Sequence, residues 1–215
     1  YLNIRKNRII KKEISETITV DENTENKNEK YKVDFEKLKI QNNDTVAWIK
    51  VEGTKINYAI VQSDNNNYYL RHNFNKEYNI AGWAFADYKN EFNGRDKNII
   101  VYGHNMKDGS MFASLKNVIK EEWYSKEENL NIIFATESET SIYRVFSTYQ
   151  IANEEYYIKT RFNKEEEFKE FIDTIKGRSV NDFNIEVTTD DQILTLSTCA
   201  NNNNYRIVLH AKKMK

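Results

Sequence analysis

Apolar and polar residues alternate over short stretches along much of the chain, and this pattern predicts a protein built mainly of β-strands. The stretch Thr45–Val51 is followed by a Glu-Gly-Thr turn and by a second apolar stretch over 56–62, which indicates a β-hairpin. Further stretches are β-branched or aromatic and end at polar turns, as strands do. They cover residues 98–102, 131–135, 141–151, 192–198 and 205–211.

One stretch repeats clearly with the period of a helix, over residues 163–176. Its apolar positions are Phe168, Phe171, Ile172 and Ile175. Asn163 is predicted to cap its start, and Gly177 stands where a helix ends. Many short strands with few helices are typical of a closed or nearly closed β-barrel with helical decorations. We therefore predict a mainly β fold of the α+β class.

Weaker helical spacing predicts further helices. One lies near the N-terminus, a second covers 31–40 after a loop over 21–30, and a short one follows Ser110. The apolar positions of the first are Ile4, Ile9, Ile10 and Ile14. Because residues 1–30 are polar and charged, we assign them to an N-terminal segment and residues 31–215 to a single domain.

Composition excludes several classes of protein. The 215 residues include 32 Lys and Arg against 33 Asp and Glu, and this near-zero balance argues against a nucleic-acid binder. The single cysteine, Cys199, excludes an internal disulfide framework and a zinc site made of cysteines alone. No apolar run reaches the length of a membrane span. The chain opens on Tyr1, not Met, so we expect a fragment from which an N-terminal anchor or signal has been removed.

Cys199 is the first candidate for chemistry because it ends an apolar run and precedes a polar loop. A lone cysteine is more often a small buried apolar residue than a nucleophile. A thiolate nucleophile needs a cationic or dipolar partner. Arg206, seven residues on and in the next predicted strand, is one such partner. Its guanidinium can stabilise a thiolate or a developing oxyanion, although a surface ion pair would also explain it.

The second candidate partner is a histidine. His104 follows the predicted strand 98–102 through a glycine, at a rim where loops build sites. Strand alternation places His210 on the same face as Arg206, so His210 is a rival, while His72 lies in a predicted helical turn. Residue spacing favours His104 over His210 only weakly, and both remain open at this point.

Two other cysteine enzymes fit the pattern poorly. A cysteine-dependent phosphatase has a glycine-containing loop between its cysteine and arginine and a helix after it, whereas here the six intervening residues contain no glycine and a strand follows. A papain-like hydrolase has its cysteine at the start of a helix and its histidine downstream. Here Cys199 ends a strand and His104 lies upstream.

The residues around these candidates resemble the motifs of a class B sortase. Residues 195–199 read Thr-Leu-Ser-Thr-Cys, as in the family's active-site strand, and 101–106 read Val-Tyr-Gly-His-Asn-Met, as in its histidine segment. The order His104, Cys199, Arg206 is also that of the family, and the resemblance covers roughly residues 30–211. The sequence differs from the family directly after the cysteine, where the family often has a carboxylate and this chain has Ala200 and Asn201.

This resemblance favours His104 over His210 and implies a sortase barrel of about eight strands, with a long helix between the sixth and seventh. It implies a membrane-anchored cysteine transpeptidase on the outer face of a Gram-positive cell. Such an enzyme cleaves a surface protein after the Thr of a C-terminal sorting motif and joins it to an amine of a lipid II-type peptidoglycan precursor. It implies no cofactor, no metal and no nucleic acid. A hydrolase with the same site, or a catalytically silent binding barrel, remains an alternative.

The resemblance also implies a substrate groove. It maps Asn66 and Leu70 to one wall, Tyr157 and Ile158 to the other, and Ser197 next to the cysteine. An extended peptide needs apolar pockets and a few polar groups, which these side chains can supply. Leu70 and Ile158 can equally be core residues.

Overall fold

The structure is a computed structural model that describes residues 2–152, 154–200 and 204–215. Its strands are β1 (Ile18–Val20), β2 (Tyr31–Val33), β3 (Thr45–Val51), β4 (Asn57–Val61), β5 (Phe85–Ala86), β6 (Asn98–Gly103), β7 (Asn131–Ala135), β8 (Thr140–Ala152), β9 (Ile193–Ala200) and β10 (Tyr205–Lys213). Its helices are α1 (Leu2–Ser15), α2 (Lys27–Lys30), α3 (Phe35–Gln41), α4 (Glu121–Tyr124) and α5 (Glu165–Gly177). Short 3₁₀ turns cover Tyr68–Leu70, Ala113–Asn117 and Glu127–Leu130.

Eight of these strands close into a barrel in the order β10-β8-β7-β3-β4-β5-β6-β9. The predicted hairpin is present as the antiparallel pair β3 and β4. Most neighbours are antiparallel, but β6 runs parallel to β9, which follows it by about ninety residues of chain. The predicted barrel is confirmed, and α5 lies between its sixth and seventh strands, β8 and β9.

Alternation along the strands gives the barrel wall two buried faces. On β9 and β10, Leu196 and Leu209 belong to the large cluster that fills the barrel, whereas Ile193 and Val208 belong to a second cluster. The second cluster is closed by the four apolar side chains that the helical spacing singles out in α5. The outer face of β9 and β10 is therefore also covered.

The N-terminal segment packs on the barrel. Ile10 and Ile14 of α1 are buried in the large cluster, whereas Ile9 is 51% exposed. The short strand β1 pairs with β2, so hydrogen bonds cross the predicted boundary at residue 30. The division of the chain at that point stays a prediction.

The start of α5 differs from the prediction. Lys164 is its N-cap residue rather than Asn163, and the backbone N–H of Asn163 donates to the Glu167 carboxylate at 2.8 Å. Glu165, Glu166 and Glu167 occupy the first turn, where negative charge complements the exposed N–H groups of a helix.

Two predictions near the N-terminus are wrong in part. Residues 31–33 form strand β2, and the helix begins only at Phe35, because Asp34 caps it by accepting a hydrogen bond from the Lys37 N–H at 3.0 Å. The predicted loop over 21–30 contains the short helix α2. The two-residue strand β5 is too short to leave a pattern in the sequence.

Candidate active site

Three neighbouring strands bring the predicted catalytic residues to one end of the barrel. In the ladder between β6 and β9, Gly103 pairs with Thr198, so His104 and Cys199 are the next residues along the two strands. On the other side of β9, Cys199 pairs with Arg206 of β10. The backbone of Cys199 is described, and its side chain lies outside the described part of the chain. The predicted set thus lies on adjacent strands, with the cysteine in the middle.

Close packing fixes the point at which β6 ends. A Cβ atom at Gly103 would lie 2.5 Å from the ring of Phe112, so only glycine allows this approach. The Thr198 hydroxyl donates to the Gly103 carbonyl, and the Phe112 N–H donates to the His104 carbonyl at 2.9 Å. These bonds hold the backbone on either side of His104.

The His104 ring is half-buried and lies against the 3₁₀ turn Tyr68–Leu70. Its Nε2 atom is 2.9 Å from the backbone carbonyl oxygen of Leu70. The sequence motifs do not reveal this contact, because it joins a side chain to a main-chain atom 34 residues away.

Arg206 is half-buried, and its charge acts on Tyr102, which pairs with Ser197 in the ladder between β6 and β9. Burial raises the pKa of Tyr102, and so does the Asp87 carboxylate, which accepts its hydroxyl hydrogen at 2.8 Å; the Arg206 charge acts in the opposite direction. A cation and a carboxylate therefore both act on Tyr102, beside the candidate site.

The rival histidine, His210, is buried in the fold. Its ring is fully enclosed, with Nε2 at 2.8 Å from the Tyr149 hydroxyl and Nδ1 at 2.8 Å from the Thr195 hydroxyl. Burial lowers the pKa of His210 to about 3. A histidine so placed holds strands β8, β9 and β10 together and is not accessible to a substrate.

Two of the predicted substrate-binding residues contact each other. The hydroxyls of Tyr157 and Ser197 lie 2.8 Å apart, and both side chains are buried. The carbonyl oxygens of Tyr157 and Lys159 also accept from the Asn98 amide, at 3.4 and 2.9 Å. These bonds attach residues 157–159 to the barrel wall.

The other predicted groove residues are partly accessible. Leu70 and Ile158 are half-buried. The Asn66 side-chain NH₂ donates to the Asp87 carboxylate at 2.9 Å. The side-chain oxygen of Asn66 accepts from the Tyr88 N–H at 3.0 Å. Their role in binding stays a prediction.

Among the residues that the structure describes, no group of three or more His, Cys, Asp or Glu side chains is placed to hold a metal ion. The expectation that no cofactor takes part stays a prediction.

Comparison with known proteins identifies the family. A family model described as the sortase domain matches residues 49–214. Sortase B of Listeria monocytogenes is 38% identical over 199 residues, which cover 90% of this chain and 79% of that protein. The chain belongs to the class B sortases. Sortases of this class are cysteine transpeptidases of the Gram-positive cell envelope, so the chain is an enzyme of that kind.

Solved sortase B structures share the fold of this sortase. The structure of the Bacillus anthracis enzyme has a TM-score of 0.85 at 35% identity and covers 100% of this chain and 99% of its own. A Staphylococcus aureus sortase B–substrate complex has a TM-score of 0.79 at 32% identity and covers 100% of this chain and 93% of its own. Sortases act on surface proteins that carry a sorting motif and on cell-wall precursor amines. Within the described residues of this sortase, no helix has the length and apolar character to cross a bilayer.

Sequence reasoning missed Asp87 in this sortase. Its side chain is 1% exposed and accepts hydrogen bonds from both Asn66 and Tyr102. The signal available in the sequence is a carboxylate directly after the apolar run Ala-Phe-Ala at 84–86. A carboxylate is buried only where hydrogen bonds or charges satisfy it. Asp87 links Asn66, which precedes the 3₁₀ turn Tyr68–Leu70, to Tyr102 of β6, the strand that leads to His104.

Proposed function

We propose that His104, Cys199 and Arg206 are the catalytic residues of this transpeptidase. The observation that carries the proposal is the strand order β6-β9-β10, with Gly103 paired to Thr198 and Arg206 paired to Cys199. Adjacent strands hold three groups at fixed separations, which is what a multi-group catalytic site requires.

Each residue has a chemical role in the proposed reaction. The Cys199 thiolate attacks the threonyl carbonyl of the sorting motif, and Arg206 stabilises the oxyanion that forms. His104, as imidazolium, protonates the leaving amine as the C–N bond breaks, which leaves a thioacyl-enzyme. Neutral His104 then takes a proton from the incoming amine, the new amide forms, and the thiolate is released.

We further propose that the sorting motif lies between the turn around Asn66 and Leu70 and the segment around Ile158. The side chains of Leu70 and Ile158 are half-buried, so their exposed parts can pack against an extended peptide that lies along the barrel wall. The Tyr157 and Ser197 hydroxyls bond to each other, so their contribution is to hold the second wall on β9.

The acceptor is proposed to be an amine of a lipid II-type peptidoglycan precursor, and the enzyme to act on the outer face of the membrane through an N-terminal anchor. The family's association with the Gram-positive envelope supports this location.

The test combines a panel of sorting-motif peptides with a small amine and records intact-protein and product masses. We expect a thioacyl-enzyme and an amine-linked product from the native chain and neither from Cys199→Ala. Product that carries water in place of the amine would indicate a hydrolase. An acyl adduct that survives in Cys199→Ala would overturn the assignment of the nucleophile.

A further inference from the structure

The contact between His104 and Leu70 determines which ring nitrogen can exchange a proton. A carbonyl oxygen carries only lone pairs, so it accepts and never donates. With 2.9 Å between Nε2 and the Leu70 oxygen, Nε2 must carry the hydrogen. In the neutral ring Nδ1 is then the unprotonated nitrogen.

We propose that the Leu70 carbonyl is the positioning group of the catalytic histidine and makes Nδ1 its acid–base atom. The inference rests on the proposed role of His104. In other nucleophilic triads a carboxylate selects the tautomer and orients the imidazole. The chain has Ala200 and Asn201 where the family often has a carboxylate, and Asn201 lies outside the described residues. A main-chain carbonyl performs the orienting role here.

The proton balance of the reaction follows from this assignment. As the scissile C–N bond breaks, the Nδ1 proton of the imidazolium passes to the leaving amine, while Nε2 keeps its hydrogen bond to Leu70. The incoming amine then returns a proton to Nδ1 as its nitrogen bonds to the acyl carbon and the C–S bond breaks. The Nε2 hydrogen is never transferred, so the ring need not rotate between the two steps.

The backbone at Gly82 and Trp83 packs against the carbonyl groups of Tyr69 and Leu70 and holds them in place. The Trp83 N–H donates to the Tyr69 carbonyl at 2.9 Å. A Cβ atom at Gly82 would lie 2.3 Å from the Tyr69 oxygen and 2.9 Å from the Leu70 oxygen, and Gly82 has a φ of +56°. Only glycine allows the chain to pass so close to these carbonyls.

The helix α1 supports the same glycine from its other side. Asn7 is 5% exposed, and its amide donates to the Gly82 carbonyl at 3.0 Å and accepts from the Asn79 amide at 2.8 Å. A continuous series of contacts thus runs from Asn7 through Gly82 and Leu70 to the His104 ring. The N-terminal helix is therefore part of the support of the catalytic histidine.

The deciding experiment reads the tautomer directly. The full chain carrying Cys199→Ala is labelled with ¹⁵N-histidine, and long-range ¹H–¹⁵N correlations are recorded at a pH at which His104 is neutral. The His104 signals are identified by their loss in a Cys199→Ala protein that also carries His104→Ala. We expect a protonated Nε2 and an unprotonated Nδ1. A protonated Nδ1, or an even mixture of the two tautomers, would overturn the proposal.

A pair of glycine variants tests the support behind Leu70. Gly82→Ala must displace the carbonyls of Tyr69 and Leu70, so we expect kcat to fall about 10-fold or more and the tautomers to become mixed. Gly177→Ala is the matched control, because its Cβ meets nothing within 4 Å, and it should change neither quantity. If Gly82→Ala does not fold, Asn7→Ala replaces it, with a smaller loss of kcat expected in the same direction. Unchanged kcat and tautomer in the folded variant would contradict the proposal.

The result is separable from that of the proposed function. The tautomer is measured without turnover, whereas the role of His104 is measured by acyl transfer in His104→Ala. An inactive His104→Ala together with a protonated Nδ1 would retain the catalytic histidine and remove the role of Leu70. An active His104→Ala would remove the catalytic role whatever the tautomer.

Discussion

Arg206 of β10 pairs directly with Cys199 of β9 across an antiparallel ladder that continues from Tyr205 to Lys212. A shift of register by one residue would exchange the two buried faces of β10, turning Ile207 and Leu209 out of the large cluster and Val208 out of the second, so the register is strongly specified. The barrel therefore places an arginine opposite the cysteine as a consequence of packing.

Arg206→Lys should reduce kcat/KM for peptide by about 100-fold or more. Lysine keeps the charge but loses the planar set of donors that can hold an oxyanion, and loss of one such donor costs about 10²–10³ in rate. The measurement is cleavage of a sorting-motif peptide. Arg161→Lys, at an exposed ion pair with Glu91, is the control and should behave like the native chain. Near-native activity of Arg206→Lys would reduce its role to general electrostatics.

His104→Ala and His210→Gln should separate catalysis from stability. Loss of a general acid–base group costs about 10²–10⁴ in rate, so His104→Ala should lose most of its activity and keep its fold. His210→Gln should lower the free energy of unfolding and keep kcat close to native, because His210 lies in the packed wall between Tyr149 and Thr195. Acyl-transfer rates and denaturant unfolding test both. Equal losses of rate in two folded variants would contradict the assignment.

The stability of the enzyme should fall as pH decreases from about 6.5 towards 3. The pKa of His210 is about 3 in the folded protein and 6.5 in the unfolded chain, so the unfolded chain binds one more proton in this interval. Each pH unit then lowers the free energy of unfolding by up to about 1.4 kcal/mol from this residue. The free energy of unfolding, measured with denaturant at several values between pH 4.5 and 7.5, should change less steeply with pH in His210→Gln than in the native chain. Parallel slopes in the two proteins would exclude His210 as the source.

Tyr157→Phe should lower the free energy of unfolding by about 1–3 kcal/mol, because it leaves the buried Ser197 hydroxyl without this partner. If residues 157–159 form a wall of the peptide groove, KM for peptide should also rise, while alkylation of Cys199 by iodoacetamide keeps its native rate. Adding Ser197→Ala to Tyr157→Phe should cost less than the sum of the single variants. Additive losses would show that the two hydroxyls are not coupled.

Two isoleucines of α1 form a matched pair. Ile14 is 2% exposed and packs in the large cluster, so Ile14→Ala should lower the free energy of unfolding by about 2–5 kcal/mol. Ile9 is 51% exposed, and Ile9→Ala should change the free energy of unfolding by less than about 0.5 kcal/mol. Thermal and denaturant unfolding provide the comparison. Equal small effects would mean that the N-terminal segment is not part of the folded domain.

Local patterns predicted many of the elements. The strands β7 and β8 and the helix α5 lie within one or two residues of their predicted bounds, because alternation and helical spacing are properties of neighbouring residues. The errors lie where a local pattern is short or ambiguous. Tyr31–Val33 has apolar residues that suit a helix but pairs with β1, and the two residues of β5 carry no periodic signal.

The sequence by itself indicated the longer strands of the barrel, the long helix and the candidate histidine, cysteine and arginine, because motif spacing and periodicity are properties of the chain itself. It did not indicate the short strands β1, β2 and β5. Only the tertiary structure decided that β6 lies beside β9 and that His210 is enclosed against Phe171 of α5. It also decided that His104 meets the carbonyl of Leu70. These relationships depend on which distant strands share hydrogen bonds in the closed barrel. Packing on both faces of the barrel wall determines that pairing.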